Sequence, residues 1–132
     1  MNKTIKAVTI GDINGIGIRL LINLWKFKRK KIGKFILISN FNLLNKFLKK
    51  NNINVPFLKI NNFSDIKKTF DKYLPVYDIK AENNVSNSYN SIKKAYFLTK
   101  NKLCNSLITL PINKEKIIKK IDNKFIGHTE FL

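Results

Sequence analysis

The chain has 132 residues, 44% hydrophobic content and a formal net charge of +18. That length is enough for one domain with a real core, which buries roughly two thirds of the surface of the unfolded chain. No stretch approaches the roughly 20 uninterrupted apolar residues of a membrane span, and the amino terminus lacks the long apolar core of a secretory signal. We therefore expect a soluble, cytoplasmic protein without a membrane partner. The single cysteine, Cys104, cannot form an internal disulfide and is expected to lie in the core.

The basic charge raises the question of nucleic-acid binding. The chain has 24 Lys but only 2 Arg, together with 19 Asn and 20 Ile. An AT-rich genome over-supplies Lys, Asn and Ile. A nucleic-acid surface usually uses Arg for bidentate contacts to phosphate and guanine, whereas here Lys is spread along the whole chain. We therefore favour codon drift over a specific nucleic-acid site, although the charge attracts anionic ligands in general.

The first half of the chain alternates predicted strands and helices. The β-branched run Ile5 to Ile10 predicts a strand, and the glycine-rich loop Gly11 to Gly17 follows it. Apolar residues at helical spacing predict a helix from Ile18 to Lys28, and the basic run Lys26 to Lys31 suits the negative carboxyl end of that helix. The next predicted elements are a strand at Phe35 to Ser39 that is buried on both faces, a helix at Leu43 to Lys50, a strand at Val55 to Ile60 and a short helix opening at Ser64 and Asp65.

The second half is readable except between Phe70 and Asn90, where we predict only a turn at Asn83-Asn84. Beyond it we predict a helix at Ser88 to Lys100, a buried strand at Ser106 to Leu110 that Pro111 ends, and a helix through Ile117-Ile118 capped by Asn113 with Glu115 in its first turn. The alternation predicts an α/β fold of three layers, α/β/α, with a mostly parallel sheet. Residues 1–132 are expected to form one α/β domain, or one incomplete lobe of a larger one.

Three loops follow the apolar segments, and an open parallel sheet binds ligands at the carboxyl ends of its strands. In the first loop, Gly15-Ile16-Gly17 lacks the third glycine of a dinucleotide fingerprint and the Lys-Ser/Thr of a P-loop. A tight turn that leads into a helix therefore accounts for the glycines of this loop as well as a ligand-binding role does. In the second, Thr109 to Glu115, Asn113 and Lys114 are candidate anion contacts at a helix amino terminus, or alternatively a plain helix cap and a solvated lysine.

The third loop, Gly127 to Glu130, contains the only histidine of the chain. His128 can donate to a phosphate oxygen or move a proton near neutral pH, and the Thr129 hydroxyl can bind the same group. One histidine cannot form a metal site by itself, and no catalytic residue can be assigned from the sequence.

Together and in this order, the three loops resemble motifs of the 4-hydroxythreonine-4-phosphate dehydrogenase family of vitamin B6 (pyridoxine) biosynthesis. That family typically has Gly-Asp-Pro-Ala-Gly-Ile-Gly near its start, then Thr-Ala-Pro-Ile-Asn-Lys-Glu and Gly-His-Thr-Glu-Phe-Leu. The last two blocks differ from Thr109–Glu115 and Gly127–Leu132 only at Leu110. The first block departs further, because Ile13 and Asn14 replace the family's Pro and Ala, and Arg19 stands where an acidic residue usually follows.

The resemblance implies an amino-terminal portion of a two-lobed enzyme with a fold like that of isocitrate and isopropylmalate dehydrogenases. It implies an oxidoreductase that uses NAD and a divalent metal (zinc, magnesium or cobalt). The substrate would be a phosphorylated amino acid, 4-phosphooxy-L-threonine, which is oxidised at the 3-hydroxyl and decarboxylated to 3-amino-2-oxopropyl phosphate. By residue-wise match, His128 and Thr129 would contact that substrate. The full-length family member would be a homodimer.

The family's three metal-binding histidines fall beyond Leu132 in the resemblance. We therefore expect this chain alone to bind no catalytic metal and to have little activity, as a fragment, a degraded gene product or half of a split enzyme. An incomplete lobe should also expose a large apolar patch. Two other functions stay open: a related dehydrogenase for another phosphorylated hydroxy acid, and a basic α/β module that binds nucleic acid.

Overall fold

The computed structural model describes residues 5–120, which form an alternating series of strands and helices. The strands are β1 (Lys6–Thr9), β2 (Phe35–Ser39), β3 (Phe57–Lys59), β4 (Leu74–Asp78) and β5 (Ser106–Ile108). The helices are α1 (Gly17–Lys28), α2 (Phe41–Lys50), α3 (Ile66–Thr69, preceded by a 3-10 turn at Phe63–Asp65), α4 (Asn84–Lys100) and α5 (Lys114–Lys120). No helix in this part of the chain is both long and apolar enough to cross a membrane.

All strand pairs of the five-stranded sheet are parallel, and the order is β3-β4-β2-β1-β5. In the register, Val8 of β1 lies between Leu37 of β2 and Ile108 of β5. Every residue of β2 is buried, as predicted for a strand covered on both faces. The prediction that β5 is buried was wrong: Ile108 is 43% exposed, because β5 pairs on one side only among the described residues.

Helices cover the sheet in the way that parallel connections require. The step from β1 to β2 and the step from β4 to β5 run in opposite directions across the sheet. Right-handed crossovers therefore place α1 and α4 on opposite faces. Helix α4 packs across β1, β2 and β5, whereas α1 contacts α2 through a hydrogen bond from Arg19 to the Asn51 side chain at 2.9 Å. The predicted α/β architecture is thus confirmed.

The segment that the sequence left unassigned contains β4, a strand inside the sheet with a proline at its second position. Pro75 is tolerated there because it has no ladder hydrogen bond to lose. The Leu74 N–H donates toward the β3 side, to Pro56 O at 2.9 Å, so the Pro75 nitrogen faces the other way. On that side, the pairing with β2 begins only at Val76.

Helix boundaries also differ from the prediction where asparagines act as caps. We predicted a turn at Asn83-Asn84, but α4 begins at Asn84 and Asn83 is its N-cap. The Asn83 side chain accepts from Ser86 N at 2.9 Å while Ser86 Oγ accepts from Asn83 N at 3.0 Å. This reciprocal capping box starts the helix about one turn before the predicted start at Ser88. Helix α2 likewise begins early, after its N-cap Asn40.

The amino-terminal edge of the sheet is closed by aromatic residues around Trp25. This buried indole donates from Nε1 to Phe70 O at 2.9 Å, and the Phe70 ring meets Phe35 edge-on with centroids 5.2 Å apart. The Arg29 guanidinium lies over the Trp25 ring at 4.4 Å. Cys104 is buried as predicted, and its burial raises the pKa of the thiol to about 11. The polar loops lie at the opposite side of the sheet, at the carboxyl ends of its strands, which is called the carboxyl edge below.

Candidate functional site

The first two loops singled out in the sequence meet at the carboxyl ends of β1 and β5. The Asp12 N–H donates to Pro111 O at 2.7 Å, and the Leu110 N–H donates to Thr9 Oγ1 at 3.1 Å. Because β1 and β5 are parallel neighbours, their carboxyl ends bring together loops that are far apart in sequence. The two loops therefore form one structural unit at the edge where open α/β sheets bind ligands.

The glycines of the first loop serve this loop–loop contact. Gly11 has φ +67°, and a Cβ placed on it would lie 2.6 Å from Pro111 O and 2.8 Å from Leu110 Cβ. A Cβ on Gly17 would lie 2.9 Å from Pro111 Cδ. The space that these glycines leave is filled by the second loop. Close approach of the second loop, by backbone at Gly11 and by the Pro111 ring at Gly17, explains why glycine is needed at both positions.

The start of α4 supplies the third wall of the site. A small, half-open cleft lies between this helix, the first loop and the start of α5, and its volume is about 30 Å³. That volume has room for one water-sized group. The polar side chains that line it are Asp12, Asn14, Asn84, Ser88, Asn113 and Lys116.

A buried asparagine fixes α4 to the sheet next to this cleft. Asn87 Nδ2 donates to Ser39 Oγ at 3.0 Å, and its Oδ1 accepts from Asn40 N at 2.7 Å. Asn40 Nδ2 in turn donates to Ile79 O at 2.8 Å. The network joins the carboxyl ends of β2 and β4 to the first turn of α4. The helix start is therefore held in place by hydrogen bonds as well as by apolar packing.

The candidate anion contacts of the second loop have different surroundings. Asn113 lines the cleft and caps α5 as predicted, because its Oδ1 accepts from Lys116 N at 3.1 Å. Lys114 is exposed at the first position of α5 and does not line the cleft, whereas Lys116 does. Sequence analysis missed Lys116 and Ser88. The helical spacing from Asn113 to Lys116 could have indicated the former, but no sequence signal marks Ser88.

His128 and Thr129 lie outside the described residues. Within residues 5–120, no group of three or more His, Cys, Asp or Glu side chains could hold a metal ion. The described part of the chain therefore does not fit the divalent metal that the resemblance implies. Nor do Gly11 and Gly17 form a cradle for a dinucleotide phosphate, because Leu110 and Pro111 occupy that space.

A second, apolar cleft opens on the α1 face of the sheet. It has a volume of about 440 Å³ and lies between α1, β1 and β5. Leu20 and Leu24 of the helix and Val8 and Ile108 of the sheet line it, and Leu20 is 56% exposed. The described residues thus include an exposed apolar surface, whereas its explanation by an incomplete lobe stays a prediction.

These features define the chain as a parallel α/β protein with a polar cleft at the carboxyl edge of its sheet, a position typical of ligand sites in this class. The family model described as "Pyridoxal phosphate biosynthetic protein PdxA" matches residues 31–132. The chain belongs to this family.

Curated relatives named 4-hydroxythreonine-4-phosphate dehydrogenase agree with that assignment. The protein from Campylobacter fetus is 31% identical over 126 residues, and that from Zymomonas mobilis is 25% identical over 137 residues. Each alignment covers 96% of this chain but only 39% of the relative. The chain thus spans about two fifths of the length of the curated relatives it matches.

Solved structures named for the same dehydrogenase share the fold. A chain from Salmonella typhimurium matches with a TM-score of 0.76 at 21% identity, and one from Burkholderia phymatum with a TM-score of 0.76 at 19% identity. The matches cover 98% of this chain and 44% and 42% of those chains. The fold is therefore that of the amino-terminal portion of this dehydrogenase family, as the resemblance implied.

Proposed function

We propose that this chain supplies the amino-terminal lobe of an NAD-dependent dehydrogenase that acts on 4-phosphooxy-L-threonine in pyridoxal 5'-phosphate biosynthesis. In that reaction the 3-hydroxyl is oxidised to a ketone, and the resulting β-keto acid loses carbon dioxide to give 3-amino-2-oxopropyl phosphate. The observation that carries the proposal is the family match over residues 31–132, which includes the second and third motif loops. The joined loops at the carboxyl edge of the sheet support it, because they form a wall suited to a polar ligand.

His128 and Thr129 are the proposed substrate contacts. An imidazole and a hydroxyl both form hydrogen bonds to phosphate oxygens, and histidine can also carry a proton at neutral pH. Asn113 and Lys114 are the proposed contacts to an anionic group at the start of α5. The net charge of +18 would raise the local concentration of a phosphorylated substrate without selecting it.

The proposal requires more polypeptide than the described lobe. No cluster suited to a metal ion occurs within residues 5–120, so the metal ligands would have to come from other residues. The residues that bind the dinucleotide would also have to lie elsewhere, because Leu110 and Pro111 fill the space beside Gly11 and Gly17. The apolar cleft beside α1 supports this view, since large apolar surfaces are usually covered in a working protein. We therefore propose that the chain alone has little activity, and that the complete enzyme is a homodimer.

Binding of 4-phosphooxy-L-threonine to the purified chain tests the proposal directly. We expect amide NMR shifts in the loops that end β1 and β5, and weaker binding, by about tenfold, in the His128→Ala variant because a charge-assisted hydrogen bond to phosphate is lost. Inorganic phosphate is the control for general attraction to a basic protein. If the substrate binds no better than inorganic phosphate, or if His128→Ala leaves the Kd of the substrate unchanged, the proposed role of His128 and Thr129 as substrate contacts is wrong.

Two other functions can be separated from this one. A related dehydrogenase acting on another phosphorylated hydroxy acid would bind that acid more tightly than 4-phosphooxy-L-threonine in the same titration. A nucleic-acid module would retain RNA on a filter in a sequence-selective way at physiological salt. We expect only weak retention that disappears as salt rises, because lysines spread over the surface give non-specific phosphate contacts.

A further inference from the structure

The first motif loop contains a chemically labile pair of residues. Asn14 stands where the family motif has alanine, and Gly15 follows it. Of the 19 asparagines in the chain, Asn14 alone precedes a glycine. The backbone nitrogen of a glycine is less hindered than that of any other residue because no Cβ shields it, so it can reach the side-chain amide carbon of the preceding asparagine. Asn14 is therefore the asparagine best suited to spontaneous deamidation.

The Asn14 side chain is not restrained by hydrogen bonds in the described part of the chain. The residue is exposed at the surface of the loop, and its amide group has no hydrogen-bond partner within residues 5–120. The amide carbon can therefore turn toward the backbone of Gly15 without breaking any interaction of its own. Restraint on the reaction has to come from the attacking nitrogen.

The attacking nitrogen is held by Asp12. The Gly15 N–H donates to Asp12 O at 2.9 Å, and the Asn14 N–H donates to Asp12 Oδ1 at 3.0 Å. Asp12 is itself anchored to the second loop, since its N–H donates to Pro111 O at 2.7 Å. Attack on Asn14 requires Gly15 N to turn away from Asp12 and release its proton. The turn must therefore open before the pair can react.

We propose that Asn14-Gly15 is a deamidation site that Asp12 protects while the first loop is docked on the second. The pair reacts when the contact between Asp12 and Pro111 opens. The rate of deamidation in the folded chain is then the rate in an unstructured chain multiplied by the fraction of molecules in which the loop is open. Asp12 acts here as a positioning residue, through the backbone of its neighbours.

The reaction needs no reagent other than water. Gly15 N bonds to Asn14 Cγ while the bond from Cγ to Nδ2 breaks, and Nδ2 leaves as ammonia with the proton from the Gly15 N–H. Water then opens the resulting succinimide ring by adding hydroxyl to a carbonyl carbon and a proton to Gly15 N. Attack at Asn14 Cγ gives aspartate, and attack at the Asn14 main-chain carbonyl carbon gives isoaspartate.

Both products disturb the contact between the two motif loops. Isoaspartate lengthens the main chain of the turn by a methylene group, so the hydrogen bonds to Asp12 cannot both keep their geometry. Either product also places a second negative charge beside the Asp12 carboxylate, and like charges repel. Deamidation should therefore hold the loop open, and the aged chain should unfold at a lower urea concentration than the fresh chain.

A single tryptic peptide measures the reaction. The peptide Ala7–Arg19 contains Asn14 as its sole asparagine and no glutamine, so its gain in mass reports this site alone. The folded chain, the chain in urea and a synthetic peptide of residues 7–19 are incubated at mildly alkaline pH. We expect the folded chain to react slower than both others by about tenfold or more, because opening breaks hydrogen bonds. Equal rates in the folded chain and the peptide would overturn the protection.

Asp12→Ala identifies the protecting residue. The substitution removes the acceptor of the Asn14 N–H and should raise the rate in the folded chain by about fivefold, as for the loss of one hydrogen bond. The same substitution in the synthetic peptide should leave the rate unchanged, which separates protection by the fold from an effect of local sequence. Asp71→Ala, at an exposed position elsewhere, is the matched control. An equal rise in both folded variants would exclude a specific role of Asp12.

Gly11→Ala and Asn87→Ala distinguish opening of the loop from unfolding of the whole chain. The first displaces the backbone of Pro111 from the loop contact, whereas the second weakens hydrogen bonds at the start of α4 and leaves the loop contact in place. Gly11→Ala should therefore raise the rate more than Asn87→Ala does. Equal rises would mean that the reaction follows global unfolding, and control by the loop contact would be overturned. If circular dichroism shows that Gly11→Ala does not fold, Asp12→Ala and its peptide control decide the question.

Discussion

Gly11 and Pro111 are in backbone contact across two loops that end neighbouring strands. A Cβ on Gly11 would come within 2.6 Å of the carbonyl oxygen of Pro111, the same oxygen that accepts the Asp12 N–H at 2.7 Å. This contact positions Asp12 at one wall of the polar cleft and Asn113 at another. The first motif loop therefore acts through the second, and changes at their junction should disturb both folding and the site.

Gly11→Ala should lower the free energy of unfolding by about 2–4 kcal/mol. Alanine is strained at φ +67°, and its methyl group would overlap backbone atoms that cannot move without breaking the loop contact. Urea denaturation measures the change. Gly33→Ala is the matched control, since its Cβ would meet only the flexible end of Lys6 at 3.1 Å. A loss at Gly11 no larger than that at Gly33 would contradict the tight junction.

Asn87→Ala should lower the free energy of unfolding by about 2–3 kcal/mol. The substitution leaves the Asn40 N–H without its acceptor and removes the donor to Ser39 Oγ, whose hydroxyl keeps its bond to Asn40 O. Thermal or chemical unfolding gives the magnitude. Asn90→Ala serves as control because it removes a single hydrogen bond at an exposed position, from Asn90 Nδ2 to Lys80 O. Equal losses in the two variants would show that the buried network adds little.

The buried thiol of Cys104 makes stability depend on alkaline pH. Burial raises its pKa to about 11 from a reference value of 9.0, so the native state holds the proton more tightly than the unfolded state. Its contribution is complete below pH 9 and is lost as the pH rises from about 9 to about 11, by roughly 2–3 kcal/mol. The stability difference between wild type and Cys104→Ala should narrow or reverse over that range. A difference that is independent of pH would exclude this effect.

The apolar cleft beside α1 should bind a hydrophobic dye. Leu20→Gln replaces an exposed wall residue with another good helix former, so the free energy of unfolding should change by no more than about 0.5 kcal/mol. Fluorescence of bound anilinonaphthalene sulfonate should fall in this variant. Leu103→Gln alters a leucine that is 39% exposed outside the cleft and should leave the fluorescence unchanged. Equal decreases in both variants would argue against a localised apolar surface.

Periodicity predicted the elements in which local sequence and tertiary environment agree. We could predict β2, whose five residues are all buried, and the apolar face of α1. In both elements the spacing of apolar residues within a short stretch of sequence indicates which side chains are buried. β4 was not readable, since Pro75 normally argues against an interior strand. Its position depends on which neighbour each backbone N–H faces, and that is a property of the sheet. The exposure of β5 likewise follows from its place at the edge rather than from its sequence.

The motif loops Gly11 to Gly17 and Thr109 to Glu115 could be singled out from residue types alone, as could the Asn113 cap, because each depends on neighbours close in sequence. The family followed from those loops together with Gly127–Leu132. Only the tertiary structure showed that Leu110 and Pro111 fill the space left by the glycines. Only it brought Asp12, Ser88 and Lys116 to one cleft. Parallel pairing of β1 with β5 creates that proximity, and hydrogen-bonded register between distant strands leaves no mark in the local pattern of residues.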